Sequence, residues 1–476
     1  MQQLTAHDAS FLYFESPNAP MDGSSVTIYD QSTAPGGKVT FKGILSHIEQ
    51  RVHLARAFRQ KIVHVPFDAD HPWWINDKDF DLEYHVRHIA LPEPGDWRQL
   101  CIQAARLVSR PLDLTKPLWE MYVIEGLDQV EGVPPGCFAL LSKMHHAAVD
   151  GVSGMEITQA IHTLEADAGP PAPPAEEWTP EREPYPGELL ARAAWNTATQ
   201  PLRAMEILAN SNAASARMAA FFQQQPQERV QPAASAPRTR FNDVVSAHRV
   251  VDARQFDLDE IRAIRSLVPG CTVNDVLLAT VGGALREYLD DKGELPSESL
   301  TAMCPISLRS KDAPGDAGNQ VGAMVVALRT DIADARSRLA AVYAGTKDAK
   351  ELTSAVGART MTDLTKMIPA ATAALAGRMA ATQAITNEAQ AAPPYNTVVT
   401  NVPGPQVPLY FAGARAVAMF GFGMIHNNMG LMNVVGSYCG KVALSFACDR
   451  HMMPDPAFYA QCIQNSHDAL TTAARA

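Results

Sequence analysis

A cluster of prolines limits what this chain can fold into. Seven prolines fall close together, at positions 170, 171, 173, 174, 180, 184 and 186. Because proline lacks a backbone N–H and restricts φ, this stretch can form neither a helix nor a central strand, and it predicts a stiff linker. The chain has 476 residues, which is too long for one ordinary hydrophobic core. The sequence therefore predicts two domains, one on each side of the linker.

The residues after the prolines set the predicted boundaries. Glu188 to Phe222 is rich in alanine and predicts a helix with a break at Pro201, and Gln223 to Pro237 is a second polar spacer. We predict an N-terminal domain over 1–166, a Pro- and Ala-rich linker with a helical segment over 167–240, and a C-terminal domain over 241–476.

Both halves alternate strand-like and helix-like segments. Apolar and β-branched runs predict strands over 26–29, 73–75, 84–89, 121–124, 138–144, 250–256, 303–308, 321–328, 397–402, 431–435 and 442–447. Helical periodicity predicts helices over 8–15, 41–54, 96–109, 257–267, 273–289, 333–350, 360–380 and 455–472. Thr272 with Asp275 three residues later predicts a helix N-terminus, and Gly282-Gly283 predicts close packing. The predicted fold class is α/β, in two mixed halves.

Charge and cysteine content narrow the function and the compartment. Lys and Arg total 40 against 51 Asp and Glu, a formal net charge of −11, which argues against nucleic acid as a partner. The seven cysteines are odd in number and form no close pairs, which favours a reducing compartment. No signal peptide and no apolar run of 18 residues is visible, so we expect a cytoplasmic protein whose contact with a membrane or lipid inclusion would be peripheral.

The stretch from Cys137 to Gly154 carries the chemistry. Its apolar first half predicts a strand, which delivers His145 and His146 into a turn followed by Asp150 and Gly151. Histidine exchanges a proton near neutral pH, and adjacent strand residues point to opposite faces, so only one of the two imidazoles can face a given cavity. We assign that place to His146 and expect His145 to support the turn. Metal binding is the alternative, but the chain has no H-E-x-x-H or C-x-x-C pair, and we predict no metal.

These residues resemble a known family. H-H-A-A-V-D-G, from His145 to Gly151, is similar to the H-H-x-x-x-D-G signature of CoA-dependent acyltransferases, which include chloramphenicol acetyltransferase, carnitine acyltransferases and peptide-synthetase condensation domains. The motifs L-T-A-H-D-A-S-F-L-Y-F-E from Leu4, P-L-W at 117–119, N-D-V at 274–276 and T-N-V-P-G-P at 400–405 narrow the resemblance to the bacterial wax ester synthase/diacylglycerol acyltransferase family. They run in the family's order over nearly the whole chain. One departure is Met21-Asp22-Gly23, where family members place a His after the Met.

The resemblance implies a fold and a reaction. Two similar domains like chloramphenicol acetyltransferase, each with a mixed sheet, would enclose an active-site tunnel at their interface. Acyl-CoA would be the co-substrate, with no permanently bound cofactor, and His146 would act as general base while a long-chain fatty alcohol or diacylglycerol attacks the thioester. The absence of a G-x-S-x-G motif agrees with direct attack, without an acyl-enzyme.

Two of the remaining site residues, Asp150 and Asn274, have two interpretations each. Asp150 either orients His146 or is a structural carboxylate paired with an arginine, for which Arg309 is a candidate, and Gly151 permits the turn. Asn274 either donates to the oxyanion or caps its helix, whereas Asp275 braces the helix start.

Three further residues and three cations complete the predicted set. Pro117, Leu118 and Trp119 are expected beside the active-site channel by resemblance, although Trp119 alone is most simply a core residue. Arg286, Arg309 and Lys311 are candidates for CoA by charge only.

The predicted function is long-chain O-acyl transfer. The alternatives are condensation-type transfer from a carrier-protein thioester, and a catalytically idle protein that binds a lipid surface.

Overall fold

The computed structural model describes residues 1–148, 153–174, 178–199, 236–307, 321–356, 370–372, 374–377 and 392–475. The predicted helix over 360–380 and the predicted helical stretch beyond residue 199 lie largely outside these ranges, as do Asp150, Gly151, Arg309 and Lys311.

Two six-stranded sheets form the framework, and a three-stranded sheet accompanies the first of them. The strands are β1 (Gln2–Gln3), β2 (Asp22–Asp30), β3 (Gln60–Val63), β4 (Trp73–Asn76), β5 (Val86–Ala90), β6 (Trp119–Glu125), β7 (Phe138–His145), β8 (Arg249–Asp257), β9 (Thr301–Ser307), β10 (Val321–Ala327), β11 (Thr397–Val402), β12 (Tyr410–Phe411), β13 (Ala414–Phe422), β14 (Leu431–Tyr438) and β15 (Lys441–Asp449). The first large sheet has the order β12-β13-β2-β7-β6-β5, the second β10-β9-β11-β14-β15-β8, and the small one β1-β4-β3.

Both large sheets are mixed, as predicted. In the first sheet the strands are antiparallel except for β5 and β6, which run parallel. In the second sheet β11 runs parallel to both of its neighbours, β9 and β14, and the outer pairs are antiparallel. The prediction of two mixed α/β halves is confirmed.

Helices cover the sheets, and several of them begin at polar caps. They are α1 (Ala6–Phe14), α2 (Phe41–Glu49), α3 (Leu82–His85), α4 (Trp97–Val108), α5 (Ser153–Ile161), α6 (186–199), α7 (Leu258–Arg265), α8 (Val273–Asp291), α9 (Ala335–Val356) and α10 (Pro456–Arg475). Thr5 and Thr40 cap α1 and α2 by accepting a backbone N–H. The predicted capping box of Thr272 and Asp275 is present at the start of α8.

The predicted glycine pair in α8 lies at two close contacts. A Cβ on Gly282 would come within 2.1 Å of the Leu328 carbonyl oxygen, and one on Gly283 within 2.2 Å of Ser466 Oγ. Only glycine lets α8 approach α10 and the end of β10 this closely.

Strand β13 crosses the predicted domain boundary. Residues 414–422 come from the C-terminal half, yet they pair with β2 of the first sheet, with Phe420 opposite Val26. The sequence pattern predicted no strand over these residues, so β13 was missed. The division at 167–240 stays a proposal, to which the structure adds that the first sheet contains strands from both halves.

A shared core joins the two large sheets. Val26 and Ile28 of β2 lie in one apolar cluster with Val251 and Ala253 of β8 and Ala443 of β15. Trp97 Nε1 of α4 also donates to Asp252 of β8 at 2.8 Å. The first sheet therefore turns one face towards the C-terminal half.

In its described residues, 170–174 and 178–185, the proline-rich stretch is non-helical, as predicted, and it is bound to the N-terminal half. The Ala172 carbonyl oxygen lies 3.0 Å from His53 Nε2, and Glu183 pairs with Lys61 at 2.6 Å. Leu189 and Ala193 of α6 then pack against Val65. In its described part this segment is a strap along the first domain.

Candidate active site

Strand β7 ends at the two histidines. The backbone N–H of His145 donates to the Leu118 carbonyl oxygen at 3.0 Å, and that of His146 donates to the Met21 carbonyl oxygen at 2.8 Å. Residues 146–148 then form one turn of 3₁₀ helix. The strands on both sides of β7 thus fix the position where the chain turns.

His145 is sealed inside the protein and braces the turn. Its side chain has no exposed surface, and its Nδ1 accepts the backbone N–H of Ala147 at 3.0 Å. Because Nδ1 is an acceptor, the proton of the neutral ring is on Nε2, which lies 3.2 Å from Glu15 Oε2. Glu15 ends the sequence motif that begins at Leu4, but the sequence analysis assigned it no role.

His146 is partly exposed and stacks on an aromatic ring. The ring of Phe11 lies 4.7 Å from it, centroid to centroid, at an interplanar angle of 25°, and His7 meets the edge of Phe11 at 5.3 Å. Within the described ranges, Nδ1 of His146 is shielded from solvent and has no hydrogen-bond partner. Burial, followed by the charges of His145 and His7, lowers the pKa of His146 to about 4. The ring is therefore a neutral base at physiological pH.

Small apolar residues hold the turn against α1. Leu118, Ala147 and Ala148 are buried in one cluster with Ala9 and Tyr13 of α1. This packing explains why the N-terminal helix, distant in sequence, lies over the histidine turn.

The P-L-W motif has divided roles. Leu118 lies under the turn, whereas Trp119 is a core residue with 1% of its surface exposed, whose Nε1 donates to the Phe58 carbonyl oxygen at 3.0 Å. Pro117 is also buried. The structure thus places Leu118 against the candidate site and Trp119 in the adjacent core.

A buried ion pair that the sequence analysis missed lies beside His145. Asp22 is directly opposite His145 in the β2–β7 register, and its Oδ2 lies 3.4 Å from Lys143 Nζ. Both side chains are 1% exposed. Burial raises the pKa of Asp22 above its ordinary value, although Lys143 and His145 act in the opposite direction. The available signal was the spacing of Lys143 and His145, which puts both on one face of a strand.

The N-D-V motif consists of a buried carboxylate that braces the helix, Asp275, and a half-buried amide, Asn274. Asp275 is fully buried and accepts from Thr272 N at 2.8 Å and from Thr346 Oγ1 at 2.6 Å, which ties α8 to α9. Asn274 does not cap the helix, because Thr272 does. Its Oδ1 instead accepts from Asn401 Nδ2 at 3.3 Å, which joins the N-D-V and T-N-V-P-G-P motifs. The bracing role predicted for Asp275 agrees with these contacts.

Other candidates are placed elsewhere or lie outside the description. Arg286 donates to the Thr330 carbonyl oxygen at 2.7 Å, a structural contact. Asp150, Gly151, Arg309 and Lys311 fall outside the described residues, so their roles stay predictions.

Two surface clefts, of about 370 and 360 Å³, are lined by other residues than the histidine turn. Over the described ranges, no three potential metal-ligating side chains of the His, Cys, Asp or Glu type come together, and no helix is both long and apolar enough to cross a membrane.

Comparison with known proteins identifies a family over most of the chain. The family model described as the wax ester synthase/diacylglycerol acyltransferase catalytic domain matches residues 4–277, and the family's C-terminal domain model matches residues 317–471. A Mycobacterium tuberculosis protein named "Putative diacyglycerol O-acyltransferase" is 33% identical over 459 residues, which cover 96% of this chain and 87% of that protein. A second one from the same species is 30% identical over 481 residues, covering 100% and 98%.

Solved structures give the same result. The wax ester synthase/diacylglycerol acyltransferase from Marinobacter aquaeolei VT8 matches over 100% of both chains, with a TM-score of 0.69 and 26% identity. The first condensation domain of the calcium-dependent antibiotic synthetase has the same fold, with a TM-score of 0.53, 13% identity and coverage of 99% and 96%. The chain is an acyltransferase that belongs to the wax ester synthase/diacylglycerol acyltransferase family.

Proposed function

We propose that this protein transfers a long-chain acyl group from acyl-CoA to a fatty alcohol or to diacylglycerol, with His146 as the general base. One observation carries the proposal: a neutral, partly exposed imidazole stands at the end of a central strand, with its other nitrogen shielded. Because Nδ1 is shielded, Nε2 is the nitrogen that can reach a substrate. A positioned base of this kind accelerates a reaction by about 10²–10⁴.

The proton that His146 removes from the acceptor is returned to the leaving group. Nε2 of His146 takes the proton of the acceptor hydroxyl while its oxygen bonds to the thioester carbonyl carbon. The tetrahedral intermediate then collapses, the C–S bond breaks, and the imidazolium returns the proton to the sulfur of CoA. The products are the ester and free CoA, and the enzyme is unchanged.

Asn274 is the proposed donor to the oxyanion. Its Oδ1 is engaged by Asn401, which fixes the amide orientation and directs Nδ2, the donor atom, away from that contact. A neutral amide stabilises a developing negative charge without a proton of its own being transferred. Asp275 contributes indirectly, because its buried hydrogen bonds hold the start of α8 that carries Asn274.

His145 and Asp150 are proposed to support His146. The hydrogen bonds of His145 to Ala147 and Glu15 hold the turn, which supports a positioning role. Asp150 is proposed as a structural carboxylate and Gly151 as the residue that permits the turn. Leu118 is proposed as the packing beneath it, and Pro117 and Trp119 as part of the adjacent core.

Peripheral contact with a membrane or lipid droplet completes the proposal, since both acceptors partition into lipid. Phe67 is 91% exposed and Trp195 is 72% exposed, and such side chains insert readily into a lipid interface. Flotation of the protein with phospholipid vesicles, compared with a Phe67→Ser/Trp195→Ser variant, tests this part separately.

A CoA-release assay tests the reaction. Purified protein is given palmitoyl-CoA with hexadecanol, with dioleoylglycerol or with no acceptor, and the lipid product is identified by mass spectrometry. We expect acceptor-dependent release of CoA and a matching ester, and background rates for His146→Ala. No release with either acceptor would contradict the proposal, and turnover only with an acylated phosphopantetheinyl carrier protein would favour the condensation-type reaction instead.

A further inference from the structure

We propose that Lys143 positions the histidine turn: its charge offsets that of the buried Asp22, which lies beside His145, so that Nδ1 of His145 stays free for the hydrogen bond that the turn requires. The inference rests on the role of His146 proposed above. It gives a task to Lys143, which lies behind the turn and acts through Asp22 and His145.

The strand register places the pair beside His145. Asp22 opens β2 directly opposite His145, and Lys143 precedes His145 by two residues on β7, so the three side chains share one face of the sheet. Glu15, just after α1, contacts the same imidazole from outside the sheet. His145 is therefore flanked by two carboxylates, and Lys143 is the cation that the structure places with them.

The pair is poorly built for stability alone. Over the described part of the chain, neither carboxylate oxygen of Asp22 has a hydrogen-bond donor, and Lys143 Nζ donates to the Arg110 carbonyl oxygen. The two charges are 1% exposed and 3.4 Å apart, so most of their hydration is lost. A buried pair with so few hydrogen bonds adds little to stability compared with apolar residues of the same size. Its position next to His145 indicates a different use.

The turn requires an unprotonated Nδ1 on His145. The backbone N–H of Ala147 donates to that atom at 3.0 Å, and Ala147 follows His146 directly. If His145 took a second proton, two N–H donors would face each other and the turn that carries His146 would open. Glu15 and Asp22 place negative charge beside this imidazole, and Lys143 places positive charge beside Asp22.

Other charged groups near this site are already engaged. Glu120 of β6 lies opposite Lys143 in the register, but it accepts from Tyr122 at 2.6 Å and pairs with Arg87 at 3.4 Å. On the far side of the turn, His146 and His7 are neighbouring imidazoles. Of these groups, Lys143 is the one whose removal leaves the charge of Asp22 without a counter-ion.

Three variants and a matched control test the pair. Lys143→Met removes the cation, Asp22→Asn removes the anion, and Asp22→Asn/Lys143→Met removes both and restores the charge balance. Lys61→Met is the control, because Lys61 also pairs with a carboxylate that is 1% exposed, Asp77, at the same 3.4 Å, but on β3 in the small sheet. The readouts are kcat/KM against pH and the nitrogen signals of ¹⁵N-labelled histidine.

The expected result is a shift of the pH profile. Lys143→Met should move the acid limb of kcat/KM to higher pH by about one unit or more, the size of effect that a close charge has on a histidine. The double variant should return the limb to the wild-type position, and Lys61→Met should leave it there. In the spectra, the His145 signals of Lys143→Met should show both ring nitrogens protonated at a pH where the wild type has Nδ1 free.

Failure of this inference is distinguishable from failure of the proposed function. If wild-type protein turns over and His146→Ala does not, the base assignment holds, whatever the pair does. If Lys143→Met then keeps the wild-type pH profile and loses only thermal stability, as Lys61→Met should, the pair is structural and the inference is wrong. If Lys143→Met does not fold, the double variant decides, since a shifted profile in that charge-balanced protein would equally overturn the inference.

Discussion

The central strand pairs of the two large sheets are built differently. In the first sheet, β2 and β7 are antiparallel and carry the buried ionisable residues Asp22, Lys143 and His145. In the second sheet, β11 and β14 are parallel and carry the buried neutral residues Thr397 and Asn433. Both pairs occupy the middle of a six-stranded sheet, so burial alone does not explain the difference.

The neutral residues of the central pair in the second sheet are hydrogen-bonded to each other. Asn433 Nδ2 donates to Thr397 Oγ1 at 3.2 Å, Thr397 Oγ1 lies 2.8 Å from the Leu431 carbonyl oxygen, and Tyr459 OH donates to Asn433 Oδ1 at 3.2 Å. Asn396, just before β11, accepts the backbone N–H of Thr301 at 2.9 Å. Such a connected network fixes how strands and helices align.

The charged residues of the first sheet are left partly unsatisfied. The Asp22 oxygens and Nδ1 of His146 have no hydrogen-bond partner among the described residues. Buried groups of this kind cost free energy, and they are expected where a protein needs shifted proton affinities rather than stability. On the proposed function, the general base follows the central pair of the first sheet, whereas the polar network of the second sheet's central pair aligns strands and a helix.

The largest effect is expected from His146→Ala. Loss of the base should lower kcat/KM by about 10²–10⁴, while the melting temperature should stay close to that of the wild type because the ring is partly exposed. Initial rates of CoA release and thermal unfolding measure the two. His451→Ala, at a histidine that is 76% exposed, is the control and should change neither. If His146→Ala lowered kcat/KM only slightly, the assignment of the general base next to the first sheet would be wrong.

Asn433→Ala should give the opposite result. Thr397 and Tyr459 would each lose a partner in the core, which costs about 1–3 kcal/mol of unfolding free energy. The kcat/KM of the folded fraction should stay unchanged. Urea unfolding and initial rates at low urea test this, and a loss of activity without loss of stability would place catalytic chemistry in the second sheet.

Phe11→Leu should have a smaller effect than either. Loss of the ring stacked on His146 removes about 0.5–1.5 kcal/mol of aromatic interaction, which corresponds to about 2- to 12-fold in kcat/KM. Tyr29→Phe is a suitable control, since Tyr29 stacks on Phe138 in the same sheet but contacts His162 rather than the histidine turn. Equal rates for wild type and Phe11→Leu would show that the turn alone orients His146.

The smallest effect concerns pH. Because burial lowers the pKa of His146 to about 4, the base form is present above that pH and is lost only as the pH falls through it. The rate should therefore stay nearly constant from pH 8 to about 5.5, where an ordinary histidine with a pKa of about 6.5 would already be mostly protonated.

Protein stability sets the lowest pH at which that experiment can be carried out. Burial also lowers the pKa of His47 and His162 to about 4. The unfolded chain therefore binds more protons than the folded one between about pH 6.5 and 4. The free energy of unfolding consequently decreases as the pH is lowered through that window. The folded fraction must be followed by circular dichroism at each pH, and a half-maximal rate near pH 6.5 in fully folded protein would show that His146 titrates as an exposed ring.

Local patterns predicted much of this structure. The apolar run 138–144 became β7 and ended at the histidines, 397–402 became β11, and Thr272 with Asp275 formed a capping box. Each of these depends on neighbours within a few residues, so the chain itself contains the information. The missed strand β13 is different, because its pairing with β2 joins residues almost 400 positions apart.

The sequence by itself indicated two mixed α/β halves and a non-helical proline-rich stretch, and it placed a pair of histidines at the end of a buried strand. Tertiary structure alone decided which side chains surround those histidines. Glu15 reaches His145 from α1, Phe11 stacks on His146, and Asp22 meets Lys143 across two strands. A proton's affinity depends on charges and burial within a few ångströms, and folding, not sequence distance, brings those groups together.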